Sequence, residues 1–189
     1  SYNIRKGIVF CHPFAEEKIT SHRVMVNLAR SLCSIGYFVF RFDYMGNGDS
    51  DGDFSDTSIE TNLSDIICGI NYFKINSYIE KISLLGIRFG ATLACLISEV
   101  LDEIDQNILI QPIVQGEEYL YQCLRSNIAT QMMTYGKVVK SRDDLIKELE
   151  NNIPVNIDGY LITKEMYQQI KMIDLKKRHC NNHRNILLI

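Results

Sequence analysis

The chain has 189 residues, 46% of them hydrophobic and 23% charged, the size and balance of one globular domain. Its net charge of −3 gives no electrostatic footprint for nucleic acid or an anionic membrane, and no apolar run reaches the roughly 18 residues that cross a bilayer. Ser1-Tyr2-Asn3-Ile4-Arg5-Lys6 carries no apolar segment of the kind a secretion signal needs. Six cysteines, Cys11, Cys33, Cys68, Cys95, Cys123 and Cys180, form no C-x-x-C pair. Four lie in apolar stretches and are expected as small core residues, so a reducing, cytoplasmic setting is predicted.

Ile8-Val9-Phe10-Cys11 is a short apolar run closed by His12-Pro13, the pattern of a buried strand ending in a turn. Met25, Leu28, Ala29 and Leu32 then recur at helical spacing, with His22 at the start of the helix and Gly36 as its stop. Tyr37 to Phe42 reads as a second strand, emptying into the Gly/Asp-rich loop Asp43 to Asp53. Ile59, Leu63, Ile66, Ile70 and Phe73 mark a second amphipathic helix. Lys81 to Leu85 is a third strand, Gly86-Ile87-Arg88-Phe89-Gly90 turns into the apolar helix Ala91 to Ile97, and Asn107 to Pro112 is a fourth strand.

Apolar strands alternating with helices predict an α/β fold, a mostly parallel sheet with helices on both faces. Residues 1–116 are expected as its core. Residues 117–175, mostly helical and broken at Asn151-Asn152-Ile153-Pro154, are expected as a lid insertion. Residues 176–189 read as a linker, opening with the basic run Lys176-Lys177-Arg178, and the start of another buried core strand, Asn185 to Ile189. An apolar strand at this position needs covering, either by further chain beyond Ile189 or by a second copy in a homo-oligomer.

A strand, Gly86-x-x-x-Gly90 and a helix together form the frame of the nucleophile elbow, G-x-S-x-G. Its glycines are needed because the turn leaves no room for side chains beside the central residue. Here that residue is Arg88. A guanidinium stays protonated at working pH and offers no electron pair, so Arg88 cannot attack a carbonyl. Two roles are open to it: pairing with a nearby acid as part of the structure, or gripping a carboxylate or phosphate through its fork of donors.

Cys11-His12-Pro13-Phe14-Ala15-Glu16-Glu17, Asp43-Tyr44-Met45-Gly46-Asn47-Gly48-Asp49-Ser50, Gly86-Ile87-Arg88-Phe89-Gly90-Ala91 and Gln111 to Leu120 together resemble the α/β-hydrolase superfamily. Within it they are similar to the serine-aminopeptidase-like branch and to exosortase-system-associated hydrolases of exopolysaccharide loci. The resemblance implies that backbone N–H groups of Phe14 and Phe89 form an oxyanion hole, with His12 and Arg88 facing the pocket. It also implies that Asp43 to Ser50 is a structural loop. In that family the acid and the His follow strands after the lid, so no catalytic acid or His is assignable between Ser1 and Ile189.

The remaining candidates are weak. Cys11 and Ser21 are alternative nucleophiles near the His12 loop, with no base paired to either in the sequence. His179-Cys180-x-x-His183 lacks a fourth ligand and a zinc spacing. Asn47-x-Asp49-x-Asp51-Gly52 copies half a calcium loop, but Ser58 stands where a bidentate Glu belongs. No metal or cofactor is expected. The functional expectation is a serine-hydrolase homologue without serine catalysis. Its alternatives are an active hydrolase or acyl transferase on a small ester, amide or thioester using another nucleophile, and a binder of an anionic sugar or lipid through Arg88.

Overall fold

The computed structural model describes residues 5–178 and 185–189. In chain order they form β1 (Lys6–Cys11), α1 (Glu16–Ser34), β2 (Phe38–Phe40), α2 (Ile59–Ser77), β3 (Lys81–Ile87), α3 (Phe89–Val100), β4 (Ile104–Ile110), α4 (Gly116–Tyr135), α5 (Arg142–Glu150), β5 (Val155–Ile157), β6 (Tyr160–Ile162), α6 (Lys164–Lys171) and β7 (Asn185–Leu188). The chain divides into two compact units, Ser1–Tyr44 with Asn62–Ile113 and Arg178–Ile189, and Met45–Thr61 with Val114–Lys177.

The first unit holds a five-stranded sheet in the order β2-β1-β3-β4-β7, every pair parallel. β1 and β3 are near-continuous buried apolar runs because both of their faces are covered. On one face Ile8, Phe10 and Leu85 pack against Met25 of α1, with Leu28, Ala29 and Leu32 beside them. The opposite face carries α2 and α3. A Cβ on Gly7 would lie 2.6 Å from Phe73 of α2, and one on Gly86 would lie 2.4 Å from the backbone opening α3.

Several elements differ in extent from their sequence pattern. α1 begins at Glu16, where two acidic residues suit the positive end of the helix. His22 therefore lies exposed in the second turn and not at the start. β4 begins three residues early, because buried Ile104 pairs with Ile82 across a register shift in β3. β7 forms and pairs with β4, and in this chain it is exposed along its whole length. Among the described cysteines, all free, only Cys11 is buried; Cys33 and Cys68 are exposed, since they fall on the outer faces of α1 and α2.

The second unit has its own core, including Leu120 and Leu124 of α4, Leu149 of α5, Ile162 of β6 and Ile170 of α6. The expected helical stretch also contains a hairpin, β5 paired antiparallel to β6. Its two-residue turn is Asp158-Gly159, with φ of 52° and 95°, the left-handed pair that a type I′ turn requires. The segment Met45–Thr61 joins this unit through Phe54, whose ring centroid lies 4.9 Å from that of Tyr160. Ile59 N–H also donates to Gln169 Oε1 at 2.7 Å.

Thr92 fixes the exit of β4. Its buried hydroxyl donates to Ile113 C=O at 2.9 Å and accepts from Ile113 N–H at 3.0 Å. Thr92→Val keeps the shape but strands both backbone groups, and is expected to lower stability by about 2 kcal/mol. In urea unfolding it should lower the midpoint, whereas Thr92→Ser, which keeps the hydroxyl, should lose less than half as much.

Candidate functional site

The order β2-β1-β3 places the reversal of strand order between β1 and β3. The chain leaves β1 for α1 on one face of the sheet and leaves β3 for α3 on the other. In open parallel sheets a crevice forms outside the carboxyl ends of two such strands. The two connections here are alike. Ala15, the residue before α1, has φ 49° and ψ −129°, and Arg88, the residue before α3, has φ 54° and ψ −123°. A non-glycine residue held at positive φ stores on the order of 1–3 kcal/mol of strain and persists only where its surroundings over-determine it.

Those surroundings are visible at Arg88. Its N–H donates to Ile110 C=O of β4 at 2.8 Å, and its carbonyl accepts from Ala91 N–H at 3.0 Å. The flanking glycines are sterically obligatory. A Cβ on Gly86 would meet Ala91 N at 2.4 Å, and one on Gly90 would meet the carbonyl oxygen of Cys11 at 2.1 Å and that of His12 at 2.6 Å. The start of α3 is thus pressed onto the end of β1, and Gly86, Arg88, Phe89, Gly90, His12 and Phe14 converge there. Phe14 and Phe89 are both buried, with ring centroids 5.3 Å apart.

The partner of Arg88 is Glu17, to which the sequence pattern assigned no role. Arg88 Nε and Nη2 both donate to Glu17 Oε1 at 3.3 Å, while Glu17 Oε2 is buried with no hydrogen-bond partner. The available signal was an acidic residue in the first turn of the helix that follows His12-Pro13-Phe14. Beside this pair Lys18 Nζ contacts Asp43 Oδ1 at 2.7 Å, anchoring the start of the Asp43 to Ser50 loop. That loop turns back on itself through Gly46 N–H to Asp51 C=O at 2.9 Å. Among the described residues no group of three or more His, Cys, Asp or Glu could hold a metal ion. His179, Cys180 and His183 lie outside the described residues.

Tyr44, also without an assigned role in the sequence, organises the end of β1. Its hydroxyl accepts from His12 N–H at 2.9 Å and is hydrogen-bonded to the Cys11 thiol. Burial pushes the phenol well above its ordinary range. Burial, with nearby Cys95 adding to it, pushes the Cys11 thiol up to about 12. His12 is 4% exposed, and burial with the positive charges of Arg41 and Lys18 pulls it from 6.5 down to about 4.

The imidazole of His12 is therefore neutral in the fold at pH 7. The unfolded chain binds this proton near pH 6.5 and the folded chain only near 4, so stability is full above pH 6.5 and falls as the pH drops towards 4. The loss attributable to His12 is expected to be about 3 kcal/mol. Urea unfolding at pH 7, 5 and 4 should show a shallower decline for His12→Asn than for the wild type.

Comparison with known proteins agrees with this architecture. The profile of the serine aminopeptidase family S33 matches residues 2–174. Human protein ABHD12B is 34% identical over 96 residues, which are 51% of this chain and 25% of that protein; the chain thus spans about a quarter of the length of that curated relative. A putative hydrolase from Agrobacterium vitis S4 superposes with a TM-score of 0.65 at 17% identity, over 97% of this chain and 67% of that one. Est1E from Butyrivibrio proteoclasticus, solved with ferulic acid bound, gives a TM-score of 0.65 at 19% identity, over 98% and 68%. These two share the fold. The family profile spans nearly the whole length, and the chain belongs to the serine aminopeptidase S33 family of α/β-hydrolase-fold proteins.

Proposed function

We propose that this chain is a non-catalytic binding module on a serine-hydrolase fold, whose β3–α3 turn is the family's elbow with Arg88 in the nucleophile's place. The observation that carries the proposal is the state of Arg88 itself. It occupies the strained central position of the turn and its guanidinium is committed to a carboxylate, Glu17. A group that is permanently cationic can hold an anion there but cannot form an acyl-enzyme. The oxyanion-hole role of the Phe14 and Phe89 backbone belongs to the same proposal, as donors to a bound ligand's oxygen.

The alternative nucleophiles fit hydrolysis poorly. With its thiol near 12, Cys11 is thiolate in only about one molecule in 10⁵ at pH 7. Ser21 lies within α1, and its hydroxyl donates to Lys18 C=O at 3.4 Å with no base attached. Anion binding through Arg88 is favoured over a purely structural pair because the Arg88 side chain remains one-third exposed.

Two measurements test the proposal. Incubated with a fluorophosphonate, the wild-type chain should keep its unmodified mass, and a stoichiometric adduct would show a live nucleophile and overturn the reading. Thermal unfolding with galacturonate, inorganic phosphate or decanoate should rise by about 4 °C for a ligand at tenfold its Kd. Arg88→Ala should abolish the rise; equal rises in both proteins would remove Arg88 from the binding role.

A further inference from the structure

We infer that Glu17 stands in for the carboxylate of a small-molecule ligand, so that the Arg88 site takes carboxylates and Glu17 is their built-in competitor. The inference rests on the anion-binding reading above and adds the ligand's chemical class and what it must displace.

The geometry of the pair is that of a placeholder. A charge-assisted N–H···O bond closes to about 2.7–2.9 Å, and an arginine fork is best filled by two oxygens, one on each nitrogen. Here both donors reach a single oxygen at 3.3 Å, and the second oxygen of Glu17 is buried without a donor. Both side chains keep about a third of their surface exposed, so a ligand can reach them. A free carboxylate presenting one oxygen to each nitrogen would shorten both bonds, and the displaced Glu17 would regain water on its orphaned oxygen.

The surroundings favour the same charge. α3 has no acidic residue in its first turn, so its positive end is not neutralised from within the helix. The anion that the fold already seats on Arg88 is a planar carboxylate. A phosphate would bring further oxygens needing donors, and Lys18, next along α1, is committed to Asp43.

Removing the competitor should therefore tighten binding. A pair exposed to this extent contributes up to about 1 kcal/mol, which converts to a gain of about fivefold in Kd. Calorimetric titration with sodium galacturonate and with inorganic phosphate, with galactose as the neutral control, would compare the wild type with Glu17→Gln, Glu16→Gln, Arg88→Gln and the Glu17→Gln/Arg88→Gln double variant. Glu16→Gln removes the same charge from the same helix turn, at an exposed position, without vacating Arg88.

The expected result is a several-fold tighter Kd for Glu17→Gln alone, lost when Arg88→Gln is added, with galactose silent throughout. If the wild type binds through Arg88 and Glu17→Gln binds no better, the competitor role is overturned and the anion site stands. Equal gains in Glu16→Gln and Glu17→Gln would reduce the effect to overall charge and overturn it too. Phosphate gaining as much as galacturonate would overturn the assignment to carboxylates. If neither wild type nor Glu17→Gln binds any of these anions, the inference and the anion-binding reading fall together.

Discussion

The contact on which the rest of the site depends is between backbones. Gly90, in the first turn of α3, lies so close to the end of β1 that a single added carbon would sit 2.1 Å from the Cys11 carbonyl oxygen. That approach shortens the β3–α3 connection to the single residue Arg88, puts it at positive φ, and leaves its side chain at the carboxyl edge of the sheet. It also explains the packing around it. The end of β1 must be held still to receive α3, and it is held by Tyr44, through His12 N–H and the Cys11 thiol. The cost of that arrangement is a cluster of buried titratable groups, His12, Cys11 and Tyr44, each shifted towards its neutral form.

Electrostatics then act on a scaffold that packing has already fixed. Two helices begin at this edge, and each presents the positive end of its dipole. α1 answers its own with Glu16 and Glu17; α3 carries no acid in its first turn and has Arg88 at its N-cap. Glu17 thus serves two positive features at once, the end of its own helix and the guanidinium across the crevice. The long, one-oxygen pairing is what results when a carboxylate tethered in a helix must reach a group it was not placed to meet squarely.

The fold was legible because its signals are local and repeated. Apolar runs, helical spacing of Met25, Leu28 and Leu32, and glycines bracketing a turn all act within a few residues. What escaped depended on partners distant in sequence. Glu17 acquires its meaning from Arg88, 71 positions away, and Tyr44 from His12, 32 positions away. The early start of β4 follows from its register on β3, which no window on the sequence contains. The Asp158-Gly159 hairpin is different in kind: its turn signal was local and complete, and the helical character of the flanking segments masked it.

Strain at Arg88 is not in itself evidence of function. In a serine hydrolase the same backbone strain lifts a nucleophile into the site, but its presence here does not by itself imply that chemistry. Gly86, Gly90 and the bond to Ile110 impose that backbone whatever side chain stands between the glycines, so the strain does not depend on that side chain. What the chain did have latitude to choose is what surrounds the guanidinium. A purely structural arginine would be expected to bury its charge against both oxygens of an acid, or to lie fully in solvent. Arg88 does neither: it meets one oxygen of a carboxylate and its side chain keeps a third of its surface exposed, which is the arrangement that the proposed exchange of one anion for another requires.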